Sequence, residues 1–375
     1  MENGDFAQAG ATAEVWRAID ASANRAGEAL RVVEDVVRFV LDDGHLTRLA
    51  KDLRHDLAAV LSDGLSDRVF LRDVPADVGA GVAAAATLPR GSAGDVIAAN
   101  AARAAQALRS LEECAPLVAA QAVGRFEPLR YRLYVLERSA LVALRSRDRL
   151  AGVGLCVLVD GRTDLAAFER LVESLLEAGV RMLQIRDKHL DAPALAARTA
   201  RAIASARRHP DRAAIVVVND RADVAVATGA DGVHVGGADL PTCLARRVVG
   251  PARLVGRTAH DIEAARAAVL DGADYLGVGP CYPSATKSFE AYAAPAFLRE
   301  VAGEIGLPAF AIGGIASDRI DEVAALGISR VAVASAVTEA PDPGRAAAAI
   351  IERLGRAQAS RPLPRPSPGP AARVP

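Results

Sequence analysis

AIVVVNDRADVAVATGADGVHVGGADLP (residues 214–241) holds the pattern that decides the fold. A continuously apolar run, Ala214–Val218, stops abruptly at Asn219-Asp220-Arg221. An alanine- and valine-rich helical segment follows. A second short apolar run, Gly232–Val235, then stops at Gly236-Gly237-Ala238-Asp239. Short runs that do not alternate with polar residues suit parallel strands buried on both faces. The same unit recurs in both directions along the chain, at Leu155–Val159, Arg181–Ile185, Arg253–Gly256, Tyr275–Val278, Ala309–Ile312 and Arg330–Ala334. A helical segment follows each. Eight such repeats predict an α/β chain whose C-terminal half, residues 152–355, is a closed (β/α)8 TIM barrel. A doubly wound open sheet fits less well, because no G-x-G-x-x-G follows a strand.

Residues 12–147 have a different texture, with long amphipathic stretches and few β-branched runs, and read as a mostly α-helical N-terminal domain. Residues 1–11 read as a flexible N-terminus, Arg145–Gly154 as the junction, and the proline-rich 356–375 as a disordered tail. With 375 residues the chain is long enough for two cores. A net charge of −1 gives no global reason to expect nucleic acid or an anionic membrane as partner. No apolar run is long enough to span a bilayer, and no signal peptide opens the chain. Cys114, Cys156, Cys243 and Cys281 form no C-x-x-C pair and read as free buried thiols of a cytoplasmic protein. A homo-oligomer is compatible with all of this.

In a barrel, chemistry gathers where strands end. After the second strand, Gln184, Arg186 and Lys188 alternate with Ile185 and Asp187, so they share one face. Two cations and an amide converging on the mouth suit a polyphosphate. Asp220 and Asp239 end neighbouring strands, and paired carboxylates completed by phosphate oxygens suit Mg²⁺. His234, inside an apolar run, reads as a packed histidine. The sixth strand opens into Gly279-Pro280-Cys281-Tyr282-Pro283-Ser284-Ala285-Thr286-Lys287, which supplies hydroxyls and an ammonium. Glycines after the seventh strand (Gly313, Gly314) and the Ala334-Ser335 turn after the eighth would form a backbone-built phosphate site.

These stretches, QIRDK, VVNDRADVAVATGADGVHVGGADLP, GRTAH, DYLGVGPCYPSATK, AIGGI and VASAV, resemble thiamine-phosphate synthases in order and spacing across the barrel. The resemblance implies condensation of 4-amino-2-methyl-5-hydroxymethylpyrimidine diphosphate with a thiazole phosphate, releasing pyrophosphate. It implies that Gln184, Arg186, Lys188, Asn219 and Lys287 hold the diphosphate, with Arg186, Lys188 and Lys287 as the catalytic cations. Asp220 and Asp239 would bind one Mg²⁺, and Thr258 would lie beside the pyrimidine. Ser284, Thr286, Gly314, Ala334 and Ser335 would hold the thiazole phosphate. The chain has Thr258 where the family more often has Ser, Asp187 where it has Glu, and Tyr282-Pro283-Ser284 where Phe-Pro-Thr is common. None of these removes a metal ligand or the lysine. The competing reading is a thiazole-phosphate-binding tautomerase or regulator on the same barrel, joined to a non-catalytic helical module.

In the N-terminal domain, Asn24, Glu28, Arg31, Asp35 and Arg38 fall on one helical stripe, and Ala26, Leu30, Val33, Val37 and Val40 on the opposite, apolar one. Residue pattern alone favours a plain amphipathic helix with a salt-bridged outer face. The segments ANRAGEALRVVEDVVRFV, LRHDL, RDVPADVG and AANAARAAQALRSLEE nevertheless resemble a domain fused to some thiamine-phosphate synthases. That domain has been suggested to be a hydroxymethylpyrimidine-phosphate kinase, which would make ATP a second cofactor. The resemblance draws attention to Asn24, Arg25, Glu28, Arg31, Asp35, Arg54, His55, Arg72, Asp73, Asp77, Asn100 and Arg103. No P-loop is present, and an assembly or regulatory module is the alternative.

Overall fold

The computed structural model describes residues 3–73, 89–209, 214–283 and 292–359, with side chains from residue 13 onward. It divides into two compact units, Met1–Ala151 with Glu263–Asp274 and Gly303–Pro308, and the remainder of the chain.

Four long helices supply most of the first unit: α1 (Asn3–Phe39), α2 (Gly44–Ser62), α3 (Ala93–Cys114) and α4 (Glu127–Arg149). The Asp43 carboxylate accepts from Leu46 N–H at 2.7 Å to start α2, and the Ser92 hydroxyl accepts from Asp95 N–H at 3.1 Å to start α3. The apolar stripe of α1 is buried as its spacing demands, with Ala26, Leu30, Val33 and Val37 all in the core. Val40 departs from it and is exposed, because the helix ends at Phe39 and the stripe loses its geometry there. Helix α1 also begins at Asn3, inside the stretch read as a flexible N-terminus, and α4 reaches Arg149, into the expected junction.

One pattern is used twice in this unit. RAGEALRVVE (25–34) on α1 and RAAQALRSLE (103–112) on α3 are identical at six of ten positions. Each ends in a glutamate held by the arginine three residues earlier and by an arginine of the next helix. Glu34 takes Arg31 at 3.2 Å and Arg54 at 2.9 Å, while Glu112 takes Arg109 at 2.6 Å and Arg130 at 3.2 Å. Arg54 and Arg130 stand at matching places in LRHDL (53–57) and LRYRL (129–133). Helix α1 packs on α3 and α2 on α4, so the unit is two related helical hairpins set face to face.

The second unit is a closed, all-parallel barrel of strands β1 (Leu155–Val159), β2 (Met182–Ile185), β3 (Ile215–Asn219), β4 (Gly232–Val235), β5 (Leu254–Ala259), β6 (Tyr275–Val278), β7 (Ala309–Ile312) and β8 (Arg330–Val333) in sequential order. Between them run α5 (Leu165–Glu177), α6 (Ala192–Arg207), α7 (Ala222–Thr228), α8 (Thr242–Val249), α9 (Ile262–Leu270), α10 (Pro295–Glu304) and α11 (Ile320–Ala325), and after β8 come α12 (Ser335–Thr338) and α13 (Pro343–Ala359). Aspartates 164 and 191 cap α5 and α6, accepting from N–H groups at 2.7 and 2.8 Å. The last helix runs to Ala359, past the point where the tail was expected to begin.

Strand β5 differs most from its sequence reading. It continues past Gly256 to Ala259, because Arg257, Thr258 and Ala259 still pair with Leu276, Gly277 and Val278 of β6. Polar side chains there mark a strand end facing the barrel mouth, not a loop.

Candidate active site

The seven polar residues singled out on β2 to β5 and described by the structure line one cavity of about 200 Å³ at the C-terminal mouth of the barrel. Gln184, Arg186 and Lys188 enter it from β2 and its loop, Asn219 and Asp220 from β3, Asp239 from the loop after β4, and Thr258 from β5. Alternation along β2 carries the intervening Asp187 elsewhere. Its carboxylate accepts N–H bonds from His189 at 2.7 Å, Leu190 at 3.2 Å and Gly161 at 2.9 Å, tying the loop after β2 to the loop after β1.

Asp220 is held in a backbone conformation that few non-glycine residues adopt, with φ at 63°. Its N–H donates to His234 O at 2.8 Å, and the next N–H, of Arg221, donates to Asn219 O at 2.7 Å. This tight turn aims the carboxyl into the cavity, and strain of this kind concentrates at functional sites. Lys188 Nζ lies 3.7 Å from Asp220 Oδ2, and Asp239 Oδ2 accepts from Gly236 N–H at 2.7 Å. The two carboxyls are close enough to influence each other's protonation. Burial first, and then the neighbouring Asp239, push Asp220 up to about 6, against the pull of Lys188 and Arg186. Asp239 is shifted the other way. Burial raises it, but the hydrogen bonds from Asp220 and Gly236 and the charges of Lys188 and Arg257 prevail and hold it low.

Two neighbouring carboxyls, one of them pushed up toward neutral pH, are a place where a divalent cation can take the place of a proton. Among the described residues no group of three or more His, Cys, Asp and Glu is arranged to hold a metal. The pair therefore fits an ion that takes its remaining ligands from substrate and water, as Mg²⁺ does with phosphates, and not an ion that needs a complete protein cage.

Beneath the cavity, His234 is buried and bridges two hydroxyls, with Nε2 2.9 Å from Thr258 Oγ1 and Nδ1 3.3 Å from the Tyr275 hydroxyl. Burial first, and then the Arg257 charge, lower the ring to about 4, so it stays neutral. Glycines make room for this stack. A β-carbon at Gly256 would collide with the Tyr275 phenol and the His234 ring.

Pattern reading passed over His260, whose Nδ1 lies 2.5 Å from Gly279 O, and Leu158, Pro280 and Ile312, which complete the wall. His260 was visible as the end of GRTAH, but nothing in the sequence placed it at the cavity rather than in solvent. Cys281 is buried nearby, and burial pushes its thiol up to about 11, which keeps it protonated. All four cysteines are free, as expected, but Cys243 is exposed and Cys114 half-buried.

Gly314, Ala334 and Ser335 follow β7 and β8 on the same rim but are not part of this cavity's wall. Gly313 and Gly314 have φ of 95° and 64°. A β-carbon on Gly313 would come within 2.7 Å of Pro280 Cβ, and one on Gly314 within 2.6 Å of Tyr282 O. Packing against the loop after β6 thus requires these glycines whether or not a phosphate lies there. Ser284, Thr286 and Lys287 lie outside the described residues.

The N-terminal candidates separate into two kinds. Arg31 and Arg54 are engaged with Glu34, Arg72 grips Asp20 through bonds of 2.6 and 2.9 Å, and Asn24 donates to Asp20 at 3.4 Å. These are clamps on buried acids. Arg25, Glu28, Asn100 and Arg103 line a second cavity of about 590 Å³ between α1 and α3. His55 and Asp73 are exposed, Asp35 is half-buried, and Asp77 lies outside the described residues.

Comparison with known proteins matches residues 155–337 to the thiamine monophosphate synthase family and residues 17–139 to the ThiD2 family. A thiamine-phosphate synthase of Rhodopirellula baltica is 41% identical over 88% of this chain and 89% of its own length. Another, of Gloeobacter violaceus, is 39% identical over 91% of this chain and 97% of its own. A solved thiamine phosphate pyrophosphorylase of Pyrococcus furiosus is 27% identical over 55% of this chain and 97% of its own, with a TM-score of 0.48. With relatives this similar along both units, the chain belongs to the thiamine-phosphate synthase family, whose members are transferases.

Proposed function

We propose that the barrel joins 4-amino-2-methyl-5-hydroxymethylpyrimidine diphosphate to a thiazole phosphate, forming thiamine phosphate and releasing pyrophosphate. The observation that carries this reading is the neighbouring Asp220 and Asp239 carboxyls beside Lys188 in one cavity that also holds Arg186. Mg²⁺ held by the two aspartates would neutralise charge on the departing diphosphate. Arg186 and Lys188, joined by Lys287, stabilise the same charge as the carbon–oxygen bond breaks, and Gln184 and Asn219 orient the phosphates. Thr258, fixed from below by neutral His234, meets the polar edge of the pyrimidine. The electron-rich ring bears the positive charge until the thiazole nitrogen attacks, so no protein nucleophile is needed. Gly314, Ala334, Ser335, Ser284 and Thr286 hold the thiazole phosphate. Supplying the purified full chain with both substrates and Mg²⁺ should yield thiamine phosphate and pyrophosphate in equal amounts. Binding of thiazole phosphate without any product would instead establish the tautomerase or regulator reading.

For the helical unit we infer an ATP-dependent kinase acting on the pyrimidine monophosphate, so that one chain makes and consumes the diphosphate in the cytoplasm. The match to the ThiD2 family and the open cavity between α1 and α3 support it. The full chain carrying Lys188→Ala, given ATP, Mg²⁺ and the monophosphate, should accumulate ADP and the diphosphate. Lack of ADP would leave this unit an assembly or regulatory module.

A further inference from the structure

We propose that the groove between α1 and α3 is a binding site for a phosphorylated small molecule, gripped through Arg25 and Arg103. The two hairpins of the helical unit carry the same ten-residue pattern, and the groove is lined by equivalent positions of both copies. Ser22 stands opposite Asn100 in this correspondence, Arg25 opposite Arg103, and Glu28 opposite Gln106.

Each copy holds two arginines. The second of each, Arg31 and Arg109, is spent on a glutamate of its own helix. The first of each, Arg25 and Arg103, is exposed in the groove, and neither forms a hydrogen bond or ion pair among the described residues. The fold makes no use of them, yet both copies place a guanidinium there. With Glu28 as the one carboxylate among the lining residues, Arg25 and Arg103 leave the groove a net positive charge that an anion can meet. A forked guanidinium matches phosphate oxygens in pairs.

The walls are equipped for the rest of a ligand. Ser22 and Asn100 are only 5% and 3% exposed. Asn100 spends its Nδ2 on Val96 O at 2.8 Å, while its carboxamide oxygen and the Ser22 hydroxyl make no hydrogen bond among the described residues and stay available to a molecule in the groove. Glu28, which has no partner among the described residues, calls for donor groups or a cation on the ligand as well as negative charge. The volume of about 590 Å³ suits a molecule of nucleotide size.

This inference stands without the kinase reading, since phosphate binding needs no turnover. The test is calorimetric titration of the full chain carrying Lys188→Ala, which weakens the barrel's own diphosphate site. The probes are inorganic pyrophosphate and, separately, ATP. Arg25→Ala and Arg103→Ala should each weaken saturable binding at least about tenfold, while Arg38→Ala, an equal loss of charge elsewhere on α1, changes it less than about twofold. Binding of both probes shows that the phosphate chain is what is read, and binding of ATP alone makes this a nucleotide site. In the otherwise native chain Arg25→Ala should leave thiamine phosphate synthesis from supplied substrates unchanged, which separates this site from the barrel. Melting temperature should hold, because neither arginine is tied to another side chain among the described residues. The proposal is overturned if neither probe binds at millimolar concentration, if the groove variants titrate like Arg38→Ala, or if lost binding comes with a melting temperature lower by more than a few degrees.

Discussion

The two units treat their charged residues in opposite ways. In the barrel, Arg186, Lys188, Asp220 and Asp239 converge on one mouth, where Lys188 lies 3.7 Å from Asp220. In the helical unit most charges are already neutralised in place, Glu34 by Arg31 and Arg54, Glu112 by Arg109 and Arg130, Asp20 by Arg72. The lesson is that a charge cluster is informative only after its internal pairs have been subtracted. What remains in the barrel is a cavity with unequal carboxyls. What remains among the helices is the groove with Arg25 and Arg103.

The largest effect that would break this contrast lies in the barrel. Asp220→Asn should cut kcat by at least about 100-fold, since one electrostatic group at the reacting phosphate is removed. Asparagine is the cleaner substitution because it tolerates the left-handed backbone that alanine does not. Melting temperature should change little, and near-normal turnover would show the cavity to be something other than the reaction site.

Next comes the pH response of the barrel. His234 titrates near 4 when folded and near 6.5 when unfolded, so the unfolded chain binds the extra proton between those values. Stability is therefore full above pH 6.5 and is lost as pH falls toward 4, by about 3 kcal/mol from this ring alone. Denaturant unfolding of the native chain and of His234→Gln across this range should converge in acid. Parallel curves would mean that the ring is not held neutral.

A smaller effect sharpens the comparison within the helical unit. Glu34 is 1% exposed and its counterpart Glu112 is 18% exposed. Arg54→Met should cost about 2 kcal/mol by uncovering a buried acid, and Arg130→Met clearly less. Equal costs in urea unfolding would remove the claim that the duplicated clamps differ in burial.

The smallest effect concerns the cation. Below about pH 6 the Asp220–Asp239 pair keeps a proton that a divalent ion must displace. Mg²⁺ with pyrophosphate should raise the melting temperature by a few degrees at pH 7.5 and by less at pH 5.5. The same increment at both would separate metal binding from this pair.

The barrel was readable because its signal repeats. Four strands, Leu155–Val159, Gly232–Val235, Tyr275–Val278 and Ala309–Ile312, begin and end where the apolar runs do. Period-two alternation also put Gln184, Arg186 and Lys188 on one side and Asp187 on the other, as the cavity and the Asp187 hydrogen bonds have them. The reading failed where a polar residue continued a strand, at Arg257 and Thr258, because pairing partners on another strand are invisible locally. Glu34 was missed for a related reason. Nothing on α1 distinguishes a buried glutamate from a solvated one when one of its two arginine partners, Arg54, lies on the next helix. The glycines at 313 and 314 were read as ligand contacts, and the structure adds a packing demand from Pro280 and Tyr282.

A pocket assembled from two copies of one hairpin has a built-in ambiguity, for a molecule entering it could be seated either way round. The copies have diverged at just the lining positions that would resolve this, Glu28 against Gln106 and Val32 against Ser110. The α1 copy lines the groove with an acid and an apolar residue, the α3 copy with an amide and a hydroxyl. The residues the two stretches share would supply the grip, and those in which they differ would tell a ligand's head from its tail.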